Sequence, residues 1–237
     1  MSIPFVQSNN EVKKFKLLGE RCSGTYYVQR LIERNLDIPH TDELGHKHFW
    51  STKKNGYPED VLLVFLVRDP YTWSQSFFDK KWHMPEHMLK MDFTTFVSSE
   101  IYSIKDSAIP QIAGVVGSEI LADRDFYTGK RHENLFKLRA NKLDFMLNIF
   151  PDMAPNMIVM RYEDFEQDYI GQLNILSANF DLKEKETPFV NLHHYKGNPD
   201  LSIYKKRHLI LSDAEKSLVT ELSDWCMEGI FGYMPLK

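Results

Sequence analysis

Positive charge is not in excess in this chain. Lys and Arg number 29 against 33 Asp and Glu, a formal charge of −4, which argues against a general nucleic-acid partner. The local exception is Lys205-Lys206-Arg207, a short basic run that reads as a solvated face, with an anionic ligand as the alternative. Cysteine is scarce. Cys22 and Cys226 stand at opposite ends of the sequence, so no disulfide framework is expected. No apolar run approaches the length of a membrane span, and no basic-then-apolar leader opens the sequence. The expectation is a cytoplasmic protein without a membrane span. Internal repeats, low-complexity tracts and Gly/Ser linkers are missing too, and 237 residues are within reach of one α/β domain.

What is present is a substantial apolar complement, 43% of residues, with aromatics at 13%. Continuous apolar runs at Phe15–Leu18, Val61–Val67 and Met157–Met160 have the pattern of strands buried on both faces. Helical spacing alternates with them. Val28, Leu31, Ile32 and Leu36 share one face, as do Phe165, Tyr169, Leu173 and Leu176. Leu135, Leu138, Lys142, Leu143, Met146 and Leu147 mark a longer helix, and Ser212 with Glu215 forms a capping box for a final helix carrying Leu218, Leu222 and Trp225. The alternation predicts an α/β fold, a central parallel sheet flanked by helices, with ligands at the C-terminal ends of the strands. Residues 1–12 read as a loose arm, given Ser8-Asn9-Asn10. Residues 81–131 are the least regular, yet too apolar for disorder.

The most informative stretch is Lys16-Leu-Leu-Gly-Glu-Arg-Cys-Ser-Gly-Thr-Tyr26. A short strand runs into a loop bracketed by Gly19 and Gly24, and Ser23 and Thr25 stand where a helix starts. Strand, glycine turn and helix N-terminus together offer free backbone N–H groups and the positive end of a helix dipole, a site for phosphate or sulfate. The glycines have the spacing of a nucleotide-triphosphate P-loop, but Thr25 and Tyr26 occupy the places of its Lys and its Ser or Thr. The loop is P-loop-like and suits an anion, not ATP with magnesium. The plain alternative is a strand-to-helix turn.

Arg21-Cys22-Ser23-Gly24-Thr25-Tyr26 resembles the 5′-phosphosulfate loop of the sulfotransferase superfamily, whose members carry variants of Pro-(Lys/Arg)-Ser-Gly-Thr-Thr. Val61-Leu-Leu-Val-Phe-Leu-Val-Arg68-Asp-Pro-Tyr-Thr-Trp-Ser-Gln-Ser76 is similar to its 3′-phosphate element, with Ser76 eight positions after Arg68. Met157-Ile-Val-Met-Arg-Tyr-Glu-Asp-Phe165 resembles the family's strand followed by Tyr-Glu-Asp. Tyr195-Lys196-Gly197 resembles the basic-Gly loop over the 3′-phosphate, and Leu211–Glu215 and Phe231-Gly-Tyr233 are similar to bacterial members. These elements span most of the chain in the family's order. The resemblance implies a sulfotransferase-like domain over 13–237, in the sulfotransferase and nucleotide-kinase-like class of folds, with 81–131 as acceptor pocket or lid. It implies transfer of a sulfuryl group from 3′-phosphoadenosine 5′-phosphosulfate (PAPS), without a metal, to a hydroxyl or amine of a small molecule or carbohydrate, leaving 3′-phosphoadenosine 5′-phosphate (PAP).

By the same resemblance the nucleotide lies against Arg21, Cys22, Ser23, Gly24, Thr25, Tyr26, Arg68, Ser76, Lys196 and Gly197. Guanidinium geometry suits Arg68 to a phosphate; an ion pair with Asp69 is its plain alternative. Cytosolic members carry Lys-x-His about twenty residues before the Arg. Here His48 lies twenty before Arg68, with His46 in the place of the Lys. An imidazole suits the general base, although a partly buried structural histidine or a His-x-His metal pair would show the same sequence. The departure from the family is Cys22, where a basic residue usually meets the bridging oxygen. Arg21 is expected to supply that charge, with Lys47 or Lys196 as the alternatives. His83 and His87 are acceptor-pocket candidates, since Pro85 between them argues against one continuous helix. Glu163 and Asp164 are expected to complement a helix dipole, and Arg139 fits either an internal ion pair or a substrate contact. Two other functions compete: a nucleotide kinase-like phosphotransferase and a non-catalytic nucleotide-binding module.

Overall fold

The computed structural model describes residues 5–50, 55–204 and 208–236; the basic run Lys205-Lys206-Arg207 lies outside them. Four strands form one sheet: β1 (Phe5–Ser8), β2 (Lys14–Gly19), β3 (Val61–Val67) and β4 (Asn156–Arg161), in the order β1-β4-β3-β2. The three strands read from apolar runs are mutually parallel, with Gly19 opposite Leu66 and Val67 opposite Arg161. All three therefore end at one edge, and the loops that follow them meet there. The N-terminal segment departs from expectation. Phe5–Ser8 is no loose arm but an antiparallel edge strand on β4, and Asn156 ties down the next turn by accepting the N–H groups of Asn9 and Asn10. An alternating four-residue strand is too short to stand out by pattern beside a polar turn.

Helices cover both faces: α1 (Thr25–Asn35), α2 (Pro70–Lys80), α3 (Glu86–Leu89), α4 (Phe93–Ser98), α5 (Leu135–Asn148), α6 (Phe150–Met153), α7 (Tyr162–Phe180), α8 (Asp213–Leu222) and α9 (Trp225–Ile230). Along β3 the side chains alternate, as a strand requires. Leu62, Val64 and Leu66 pack with the α1 and α7 stripes Val28, Leu31, Ile32, Phe165 and Leu173. Leu63, Phe65 and Val67 pack on the other face with Leu143, Met146 and Phe150. The capping box of Ser212 and Glu215 forms, but the expected final helix is two helices. It breaks at Ser223 and restarts where the Asp224 carboxylate accepts the N–H groups of Cys226 and Met227, because an N-cap carboxylate competes with helix continuation. No described helix is long and apolar enough to cross a membrane.

Candidate functional site

At the strand ends lies a cavity of about 570 Å³, lined by the loop after β2, Arg68 after β3, the 46–48 loop, the 191–196 segment and part of 81–131. The β2–α1 loop is shaped for close approach. Gly24 has φ 89°, and a Cβ there would lie 2.3 Å from the Tyr162 ring. Only glycine fits both that conformation and that contact. Cys22 takes the left-handed conformation as well, φ 66°. Beyond this turn the backbone N–H groups of Gly24, Thr25 and Tyr26 have no acceptor among the described residues. Unpaired donors at a helix start form an anion cradle.

Not every loop residue faces the cavity. The Ser23 hydroxyl and its N–H both donate to the Glu20 carbonyl, at 2.6 and 3.3 Å, and the side chain is buried. Ser23 closes the turn, so its hydroxyl proton is committed to the loop and not to the cavity, where the resemblance sets Ser23 against the nucleotide. The Cys22 thiol lines the cavity, and burial pushes its pKa up to about 11 despite Arg21 and Arg68, so it is a neutral thiol at physiological pH.

Arg21 also departs from expectation. Its Nη1 donates to Ser103 Oγ at 2.7 Å and to the Trp82 carbonyl at 2.9 Å, and its Nη2 meets Asp123 Oδ2 at 2.8 Å. Asp123 is shared with Lys142 Nζ at 2.5 Å, and Ser103 Oγ donates to it as well. Burial favours a neutral Asp123, but Lys142 and Arg21 outweigh it and hold the carboxyl below its usual range. With both terminal nitrogens taken up inside, Arg21 braces the cavity wall. It is not the free cation that Cys22 leaves wanting.

Lys47 is better placed. It lies on the cavity with Nζ 2.9 Å from the centroid of the Tyr26 ring. Burial, then Lys196 and Lys16, bring its pKa down to about 7. Lys196 Nζ reaches the other side of the same region, 5.1 Å from the Tyr26 centroid. Gly197 does not line the cavity. Its φ of 64° and the packing of Leu192 and Arg30 against it shape the turn that carries Lys196.

Arg68 lines the cavity beneath Tyr162, with its guanidinium 5.0 Å from the ring centroid. Its Nη1 donates to the Cys22 carbonyl at 2.9 Å and its Nε to Thr72 Oγ1 at 3.3 Å, so the two anion elements are tied together through it. Asp69, the plain alternative partner, instead caps α2 by accepting the Thr72 N–H at 2.9 Å. Ser76 lines the cavity two helical turns on, and Lys80 joins it. Lys80 was missed in the sequence, although four-residue spacing from Ser76 puts the two on one helix face.

His48 is fixed by backbone at the end of β2. Gly19 N–H donates to the Lys47 carbonyl at 3.1 Å, His48 Nδ1 lies 2.7 Å from the Gly19 carbonyl, and Lys142 Nζ donates to the His48 carbonyl at 2.8 Å. A carbonyl only accepts, so Nδ1 carries the proton and Nε2 keeps its lone pair. Burial first, then Lys47 and His46, holds the ring well below the usual histidine pKa, against the opposing pull of the Gly19 carbonyl. It is neutral at physiological pH. Among the described residues no group of three or more His, Cys, Asp or Glu is arranged to hold an ion. His83 lines the cavity. His87 does not; it is exposed on α3, with its ring 6.1 Å from that of Tyr102.

Arg139, which fitted two roles in the sequence, is internal, while Glu163 and Asp164 stand in the first turn of α7. Arg139 is buried between Glu20 and Glu228, at 2.7 and 2.5 Å. Glu163 accepts the Asp69 N–H at 2.9 Å and the Tyr233 hydroxyl at 2.8 Å, and Asp164 stands 3.8 Å from Arg161.

No family model matches the chain, and no curated protein matches it in sequence. Among solved structures it is similar to the crystal structure of mouse sulfotransferase SULT7A1 complexed with PAP, at 13% identity and a TM-score of 0.46, over 96% of this chain and 91% of that one. At that distance, function has to be argued from the residues of this chain.

Proposed function

We propose that the protein is a sulfotransferase that uses PAPS and an alcohol-bearing small molecule or carbohydrate. The observation that carries this is the pairing, across one cavity, of an anion cradle with a neutral, tautomer-fixed His48. The donor set suits a nucleotide with two separate anionic ends. Backbone N–H groups of Gly24, Thr25 and Tyr26 receive the 5′ end, and Arg68, Ser76 and Lys196 receive the 3′-phosphate. The nucleotide brings the sulfuryl group and a stable leaving phosphate. His48 Nε2 takes the acceptor's hydroxyl proton, and Lys47 meets charge that grows on the leaving oxygen, in the role expected of Arg21. A magnesium-dependent kinase reading loses ground here, because the loop offers no lysine for the phosphates.

PAP binding tests the reading. Calorimetry should show binding without magnesium, and Arg68→Ala should weaken it by about 1.5–3 kcal/mol, the usual worth of a hydrogen bond to a charged group. Unchanged affinity in that variant, or a strict need for magnesium, overturns the assignment.

Lys47 gives a pH signature. With a free pKa of about 7, it is largely neutral at pH 8, and a bound phosphate raises that pKa. Binding then takes up protons, and affinity falls as pH rises from about 7 towards the raised value. Titrations at pH 8 in two buffers of different ionisation enthalpy should give different heats, and Lys47→Met should remove the difference. Equal heats in the wild type would separate Lys47 from the phosphate.

A further inference from the structure

Besides His48 the cavity is lined by a second, independently built histidine. His83 is more than nine-tenths buried, and its backbone is in the left-handed region, φ 62°. Three contacts hold that conformation. Ile104 N–H donates to the His83 carbonyl at 2.8 Å, Arg21 holds the preceding carbonyl of Trp82, and His83 Nδ1 lies 2.7 Å from Asp106 Oδ2. The other oxygen of Asp106 accepts the Ala108 N–H at 2.9 Å, so the carboxylate is itself oriented. A carboxylate accepts, so Nδ1–H donates to it and Nε2 is left as an acceptor. The His46 ring neighbours both histidines, 5.2 Å from His48 and 6.3 Å from His83. Phe49 stacks behind His46 and lies 5.7 Å from His83.

We propose that His83, oriented by Asp106, is the acceptor-selecting residue, and that the preferred acceptor is a small diol. One hydroxyl gives its proton to His48, and the second donates to His83 Nε2. This rests on the sulfotransferase reading for the identity of the reacting hydroxyl, but not for the binding of the second one. The argument is one of pairing. An acceptor lacking the second hydroxyl leaves the oriented lone pair of a largely enclosed side chain without that donor, which discriminates more strongly than an apolar contact does. His46 cannot serve in this way through Nδ1, which already accepts the His48 N–H at 3.2 Å. Ala108 and Ile109 on the same wall supply an apolar surface for the carbon frame.

Cyclohexanol compared with cis-1,2- and cis-1,3-cyclohexanediol provides the test. In the wild type, kcat/KM should favour the better diol by about 10–100-fold, and in both His83→Phe and Asp106→Asn that ratio should fall towards one. PAP affinity of the same samples reports whether each variant is folded. A wild-type ratio near one, or a ratio that survives both variants, overturns the proposal. So does equal loss of both acceptors in His83→Phe, which would make His83 a proton acceptor for the reaction itself. A second arm needs no turnover. With histidines labelled with ¹⁵N, the diol should shift the His83 Nε2 resonance and cyclohexanol should leave it in place. If PAP does not bind but the diol still shifts that resonance, the sulfotransferase reading fails and the diol site stands. If PAP binds and neither alcohol moves His83, the reverse holds.

Discussion

Replacing His48 with alanine should lower kcat by about 10²–10⁴, the usual worth of a positioned base, while PAP affinity stays close to wild type. The separation follows from the geometry. His48 is held by the Gly19 carbonyl through Nδ1; in the proposed function its remaining lone pair serves the acceptor, whereas the nucleotide's anions would lie against backbone N–H groups and guanidinium. The pH profile adds a sign. Burial, Lys47 and His46 hold the imidazole well below its ordinary pKa, so protonation removes the base only on the acid side of the usual histidine range. The acidic limb of kcat/KM should therefore fall at a pH lower than that of an ordinary histidine, and it should be absent from His48→Ala. A mutant that keeps the limb and most of its turnover transfers the role to another group, His83 first.

The second large effect is on stability. Arg139→Met should destabilise the fold by about 3–5 kcal/mol, because it leaves two buried carboxylates without their counter-charge. For a chain of this length that corresponds to a Tm lower by roughly 6–20 °C. Arg139 joins Glu20, just after β2, to Glu228 in α9, and its Nη2 also donates to the Arg68 carbonyl at 2.7 Å. It thereby fixes the starts of the loops that follow β2 and β3. Burial raises the pKa of Glu20 even beside Arg139, so the loss should be partly relieved when Glu20→Gln and Glu228→Gln accompany the change. Thermal melts of the single and triple variants check both statements. A single variant that melts within about 2 °C of the wild type would show that the cluster is not a stabilising clamp.

Strands and helices were legible where burial imposes a period. Val61–Val67 is apolar at every position because both faces of β3 are covered, and α5 and α7 carry stripes that only a helix explains. α7 also shows the limit of this reading. Its backbone leaves helical geometry at Asp168, φ −147° and ψ 73°, where the carboxylate accepts the Gly171 N–H at 2.9 Å and restarts the helix. The hydrophobic spacing runs across that break and does not reveal it.

At the site, the chain's local chemistry determined the turn after β2, the cap of α2 by Asp69, and the placement of Arg68 and Ser76 near the strand ends. These depend on neighbours within a few residues and on strands that end in register, whereas Lys47 and His48 are held at the strand ends by Gly19 and Lys142, far along the chain. Only the tertiary structure decided where the side chains point. Arg21 turns inward because its partners are Trp82, Ser103 and Asp123, which lie 61, 82 and 102 positions along the chain. His83 reaches the cavity while His87 stays outside, although the two are close in sequence, because Asp106 holds the His83 ring and Arg21 the carbonyl before it, whereas His87 lies on the exposed face of α3 beside Tyr102. Periodicity reports which face of an element meets the core. The direction of a charged group is set by distant partners that remove its desolvation cost, and those partners are brought together only when the chain folds.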